Sequence, residues 1–146
     1  MSATADHAEE RTNPASRLGF QPGQVVQEIG YDDDADEELR EAIEELTGTE
    51  LVDEDYDDVA DAVLLWFRDE DGDLTDALVD ATTMIDDGAF VWLMTPKTGR
   101  DGYVEPSDIG EASATSGLAQ TSSISAAKDW SGTRLVTPKT AKSGKR

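Results

Sequence analysis

At 146 residues the chain has room for one domain, and it carries 33 acidic against 12 basic residues, a net charge of −21. It contains no cysteine, which excludes disulfides, thiolate metal sites and cysteine nucleophiles. The opening Met1-Ser2-Ala3-Thr4-Ala5-Asp6-His7 lacks a basic segment ahead of an apolar one, and the longest apolar run, Ala62 to Phe67, is too short for a bilayer, so a soluble cytoplasmic protein with no membrane partner is expected.

Residues 1–16 are polar and aperiodic and read as disordered. A single α/β domain is expected over 17–138, followed by a basic disordered tail over 139–146. Gln24 to Ile29 has strand character, with Val25, Val26 and Ile29 apolar. Asp36 to Leu46 reads as a helix, because Leu39, Ile43 and Leu46 share one stripe; Asp34 or Asp36 supplies its cap and Thr47-Gly48 ends it. A short second strand, Glu50 to Val52, leads into the acidic connector Asp53 to Asp58.

The continuous apolar run Ala60 to Phe67 predicts a strand buried on both faces. Asp73 to Ile85 predicts a helix stopped by Asp86-Asp87-Gly88, and Ala89 to Met94 predicts a second fully buried strand. After the loop Thr95 to Gly102, Ser107 is expected to cap a weak helix from Asp108 to Thr115. Two last strands, Thr121 to Ala126 and Thr133 to Thr137, have no helix between them and should form an antiparallel hairpin at the sheet edge. The fold expected is a small three-layer Rossmann-like α/β sheet, mostly parallel, similar to a shortened class I methyltransferase.

Charge is unevenly placed. From Glu28 to Asp87 there are 25 acids against Arg40 and Arg68, a balance of −23. After Asp129 there are five bases and no acid. The acidic block disfavours nucleic acid and suits either a highly solvated surface or a protein partner with a basic face; mimicry of a phosphate backbone would need the acids on one face.

Ligands of open α/β sheets sit beyond the carboxyl ends of the strands, where a glycine-rich turn receives a nucleotide or methyl donor. Here the first strand is followed by Gly30 alone and then Tyr31-Asp32-Asp33-Asp34, and clustered carboxylates repel an anionic ligand. No cofactor is therefore expected, and Asp53 or Glu54 has only the position of a ribose-binding acid. The residues placed around this mouth are Gly30, Asp32, Arg68, Lys97, Arg100 and Trp130, forming either a surface ion-pair network or a small polar pocket. Trp130 is expected to cover the hairpin edge or to contact a ligand.

The stretch Asp69 to Asp73 fails as an EF-hand, because the sixth and twelfth positions hold Leu74 and Asp80, and no metal site is expected. His7 is the lone histidine and lies in the polar start, so neither a general base nor a serine triad is available; Asp101, Glu105 and Asp108 lie near Lys97 but nothing singles them out as catalytic. Thr-Pro-Lys recurs at 95–97 and 137–139, and the second copy, with Thr140 and Ser143, is a candidate for phosphorylation in the basic tail.

The segments Leu18-Gly19-Phe20-Gln21-Pro22-Gly23-Gln24-Val25-Val26, Leu64-Leu65-Trp66, Gly88 to Lys97, Ser122-Ser123-Ile124 and Asp129 to Val136 resemble the actinobacterial branch of domain-of-unknown-function family 3052. That resemblance covers roughly Leu18 to Pro138. It implies a small Rossmann-like domain and no known reaction. The expected function is a non-enzymatic binding or regulatory module on a degenerate scaffold, the alternative being a small-molecule-binding protein or enzyme with its pocket at the carboxyl edge of the sheet.

Overall fold

The computed structural model describes residues 15–83 and 85–137. Five strands, β1 (Val26–Ile29), β2 (Ala60–Trp66), β3 (Ile85–Pro96), β4 (Ala119–Ser125) and β5 (Trp130–Val136), form one sheet of order β1-β2-β3-β5-β4. The first three run parallel, and β5 pairs antiparallel with both β3 and β4. The expected antiparallel hairpin is thus present, with β4 outermost.

Helix α1 (Glu37–Thr47) covers one face of the sheet, and α2 (Leu74–Thr82) and α3 (Pro106–Thr115) cover the other. The pleat explains this directly, since alternate residues of a strand point to opposite faces. Ala62, Leu64 and Trp66 of β2 join Leu39 and Ile43 of α1 in one core, whereas Val63 and Leu65 join Leu74, Leu78 and Ile109 in the other. The uninterrupted apolar run of β2 is the signature of a strand with a core on each side. Ala15, Leu18 and Phe20 complete the α1-side core, and the Trp92 indole donates to the Leu18 carbonyl at 2.7 Å, pinning the lead-in segment to the sheet.

The strand expected at Ala89–Met94 runs from Ile85 to Pro96 and takes in the expected helix stop Asp86-Asp87-Gly88, and the hairpin strands expected at Thr121–Ala126 and Thr133–Thr137 are Ala119–Ser125 and Trp130–Val136. Four further boundaries move for a local reason. The strand predicted from Gln24 starts at Val26, because the Val25 amide is taken by the Asp61 carboxylate at 2.8 Å. The strand predicted at Glu50–Val52 is reduced to a single parallel bridge between Val52 and Gln27. Gln27 donates to the carbonyls of Asp53 and Tyr56 and turns the chain away before a ladder can grow. The helix predicted to reach Ile85 ends at Thr82: the hydroxyls of Thr82 and Thr83 bond back to Val79 and Asp80, and Ile85 already pairs with Ala60 as the start of β3. The cap of α3 is Glu105, with Pro106 in the first turn and no side-chain cap bond, so Ser107 lies inside the helix. Asp36, one of the two expected caps, closes α1 through a 2.8 Å bond to the Leu39 amide. The lone histidine, at position 7, and the basic tail from Pro138 onward, with the rest of its Thr-Pro-Lys copy, lie outside the described residues.

Candidate functional site

Chain order reverses between β1 and β2: from β1 the chain passes through α1 to the Val52 bridge on one side, then returns to β2 on the other. This switch point is where open α/β sheets hold their ligands. Three of the residues expected there, Gly30, Arg68 and Trp130, do meet at it.

Gly30 sits immediately beyond β1 with φ of 80°, a conformation that favours glycine. A Cβ there would lie 2.3 Å from the Trp66 carbonyl oxygen, so the two parallel strands approach as closely as they do only because the side chain is missing. Both backbone groups of Gly30 are used within the protein. Its amide donates to Glu54 at 3.0 Å, and its carbonyl accepts from Arg68 at 2.8 Å. Glu54, which has the sequence position of a ribose-binding acid, is instead bonded to the turn that a ligand would occupy.

Arg68 is the second residue after β2 and is 6% exposed. Its guanidinium grips the Asp34 carboxylate through Nε at 3.1 Å and Nη2 at 2.5 Å, while Nη1 reaches the carbonyls of Gly30 and Trp66 and the carboxylate of Asp71. Trp130 lies beneath it, 5.2 Å from ring centroid to the guanidinium carbon. Trp130 is not a loop residue but the first residue of β5; its indole donates to the Asp34 carbonyl at 3.0 Å and meets Trp66 edge-on at 4.8 Å. The Arg68 side chain therefore fills the switch-point crevice and satisfies its polar groups.

Burial acts to lower the Arg68 pKa, but the hydrogen bonds and charges of Asp34 and Asp71 outweigh it and hold the group above its ordinary value. Asp34 is correspondingly held below the usual carboxylate range by the Arg68 hydrogen bond. A carboxyl with a depressed folded pKa stabilises the fold above its unfolded value, near 3.9, and loses that contribution as pH falls. Asp34→Asn is accordingly expected to lower stability at pH 7 and to flatten its decline between about pH 5 and pH 3, read by urea unfolding across that range. An unchanged acid limb would remove Asp34 from the account.

A second network lies beside the first. Glu28, buried on β1, accepts from Arg40 at 2.6 and 2.8 Å and from the Trp66 indole at 2.8 Å. Arg40 stacks 4.3 Å over the Tyr31 ring, and Tyr31 donates its hydroxyl to Glu37. The Glu28 hydrogen bond raises the Arg40 pKa, and the bonds donated by Tyr31 and then Arg40 lower that of Glu37. Both cations of the acidic block are thus chelated internally. Sequence reasoning missed Glu28 and Asp34; the usable signal was one charge in an otherwise uncharged strand segment, and one arginine in an acidic helix.

The other expected site residues lie apart. The Asp32 side chain accepts from the Asp33 amide within its own turn and does not reach Arg68. Arg100 pairs with Asp129 at 3.3 Å on the surface. Lys97 lines a separate cavity of about 320 Å³ with Arg17, Lys128, Asp36 and Leu39, at the carboxyl edge of the sheet. Arg17 and Lys128 were not anticipated, since they lie in distant turns that only the fold brings together. A further cavity of about 270 Å³ between α2 and α3 carries Asp69, Asp73, Asp108 and Glu111. Among the described residues, no three acidic side chains converge as a cation site, and no helix is long and apolar enough to cross a membrane.

Sheet order and helix placement define a Rossmann-like α/β scaffold of the methyltransferase type. The pyocyanin biosynthetic protein PhzM superposes with a TM-score of 0.65 at 10% identity, over 90% of this chain and 55% of that one, so the chain spans about half of its length. Magnesium protoporphyrin IX methyltransferase ChlM from Synechocystis PCC 6803, solved with bound SAM, superposes with a TM-score of 0.55 at 12% identity, over 89% of this chain and 80% of that one. At such identities the likeness is one of fold. The chain itself belongs to the family described as "Protein of unknown function (DUF3052)", whose model matches residues 15–139. An uncharacterized protein of Mycobacterium tuberculosis and one of Mycobacterium bovis are each 51% identical to it over 142 residues, covering 97% of this chain and 87% of theirs.

Proposed function

We propose that the chain is a non-enzymatic binding or regulatory protein, in which a methyltransferase-type scaffold has its ligand crevice closed from within. The observation that carries this reading is the Arg68 guanidinium seated on the Gly30 carbonyl, with Glu54 on the Gly30 amide. A methyl donor or dinucleotide would have to displace both, and would then face Asp34 and Asp71. The partner expected is a protein with a basic face, drawn to the acids between Glu28 and Asp87. Exposed acids stand on α1 on one face of the sheet and on α2 on the other, an arrangement that does not form a single phosphate-like row.

The test has two parts. Adenine dinucleotides and S-adenosylmethionine at millimolar concentration are expected to leave the melting temperature unchanged, since a ligand that binds the folded state raises it. A rise of several degrees with either would sink the reading. A partner captured at low salt should be released by raising the salt to a few hundred millimolar, and charge reversal of acids on α1 or α2 in the purified pair should weaken binding. Salt-independent capture would point away from the acidic block.

A second reading rests on the cavity that holds Arg17, Lys97 and Lys128, three of the seven cations among the described residues, against the carboxylates of Glu38 and of Asp36, the latter engaged as the cap of α1. It takes a small anionic ligand at the carboxyl edge while the crevice stays closed. A thermal-shift series with phosphate and with di- and tricarboxylates checks it, and the double variant K97A/K128A is expected to abolish any shift. A shift that survives the double variant would place the ligand elsewhere.

A further inference from the structure

The two edges of the sheet are treated differently. At the β1 edge, Val52 exchanges backbone bonds with Val26 and Glu28 at 3.0 and 2.7 Å, so the edge is covered. At the other edge β4 pairs only with β5, and among the described residues no hydrogen bond covers the outer backbone of 119–124. A free edge is a template for another strand, and folded monomers blunt it with lysine, proline or a buried charge.

β4 carries no lysine, proline or buried charge; its one irregularity is a register shift between Gln120 and Ser122, beyond which Ser122 to Ser125 pair regularly with β5. Ala119-Gln120-Thr121-Ser122-Ser123-Ile124-Ser125 is uncharged, and most of it is exposed. The neutral stretch is longer than the strand. No charged residue occurs from Ala112 to Ala127, in a chain of which 31% is charged. Most of the acids between Glu28 and Asp87 stand on β1, β2, α1, α2 and the loops that join them, with Asp86 and Asp87 at the start of β3, while Asp108 and Glu111 stand on α3, which packs against β4.

We infer that β4 is a self-association edge, along which two copies of the chain pair antiparallel about a two-fold axis into one continuous ten-stranded sheet. Charge selects this occupant. Two molecules of net charge −21 repel in most orientations, and β4, unlike β1, β2 and β3, brings no carboxylate of its own to a strand seam. A basic partner would be drawn instead to the acidic half, and an acidic one has no cationic strand here to meet. The small side chains Ser122 and Ser123 permit close backbone approach, and a two-fold axis makes the edge complementary to itself. The area of one strand pair is small, so the dimer is a weak one that forms at high protein concentration and moderate salt.

Sedimentation velocity over about 5 to 500 µM in about 0.3 M salt tests this by the appearance of a species of twice the 15.7 kDa chain mass. Ser122→Lys, a surface change, is expected to weaken the dimer at least about tenfold while leaving the melting temperature of the dilute protein unchanged. Because the chain has no cysteine, single cysteines at positions 120 to 124 report geometry independently. Under mild oxidation one of them near the axis should give a disulfide-linked dimer, and a cysteine at Val59 should not. A monomer throughout the series, a dimer indifferent to Ser122→Lys, or cross-linking as fast at position 59 as along β4 would each overturn the inference.

Discussion

Gly30→Ala is expected to be the most damaging glycine-to-alanine change among the described glycines, costing about 2–5 kcal/mol of folding stability. Two effects add. An alanine held at φ of 80° pays about 1–2 kcal/mol for the left-handed backbone. The new Cβ would also lie 2.3 Å from the Trp66 carbonyl oxygen, which is backbone and can retreat only by parting β1 from β2. That movement drags the Gly30 carbonyl away from Arg68 and its amide away from Glu54, and forced overpacking of this kind typically costs about 1–3 kcal/mol. Gly48 provides the control. It has nearly the same φ, 79°, at the end of α1, with nothing within 4 Å of an added Cβ. Gly48→Ala should therefore lose only about 1–2 kcal/mol of backbone strain. Urea unfolding of both variants, followed by tryptophan fluorescence, isolates the steric contribution as their difference. Equal losses would show that the crevice relaxes around the methyl group and is not held shut.

The same comparison shows how much of the protein is legible from composition and order. Strand β2 and the Ala89–Met94 part of β3 were readable because burial on both faces writes an unbroken apolar run, and the edge hairpin because no helix-length segment separates its strands. Ile85 was assigned to the preceding helix because it continues the spacing of Leu74, Leu78 and Ala81; the two threonine hydroxyls that end the helix before it leave no periodic trace. At the mouth of the sheet, the order of elements brings Gly30 and Arg68 together, while Trp130, read as lying outside the last strand, reaches them from the first position of β5. What topology did not supply was the partner choice. Asp34, not Asp32, faces the guanidinium, because the turn after Gly30 spends Asp32 on its own backbone. Lys97 and Arg100 fell outside the site for a related reason, since Asp129 of the hairpin turn holds the start of their loop through the Lys97 amide at 3.0 Å and pairs with Arg100.

Arg68→Met is expected to destabilise the protein by about 2–4 kcal/mol, and the size of the loss distinguishes a structural plug from a surface ion pair. An exposed pair contributes about 0–1 kcal/mol, and Asp34 and Asp71, at 56% and 37% exposure, would recover water once the arginine is gone. The penalty comes instead from the carbonyls of Gly30 and Trp66, which lose their donor beneath an apolar side chain, at about 1–3 kcal/mol for a buried group. Trp130 loses its guanidinium cover at the same time. Lysine is the discriminating substitution: it keeps the charge but not the planar fork, so Arg68→Lys should retain the attraction to Asp34 while leaving at least one carbonyl unpaired, and fall between wild type and methionine. The gap between wild type and Arg68→Met should also shrink below about pH 4, as Asp34 takes up its proton in the wild-type fold and the ion pair is lost there too. A loss under about 1 kcal/mol, with lysine equal to arginine, would reduce Arg68 to a surface cation and leave the crevice open to ligands. The proposed function depends on the larger value, because a side chain that a metabolite can displace cheaply does not close a site.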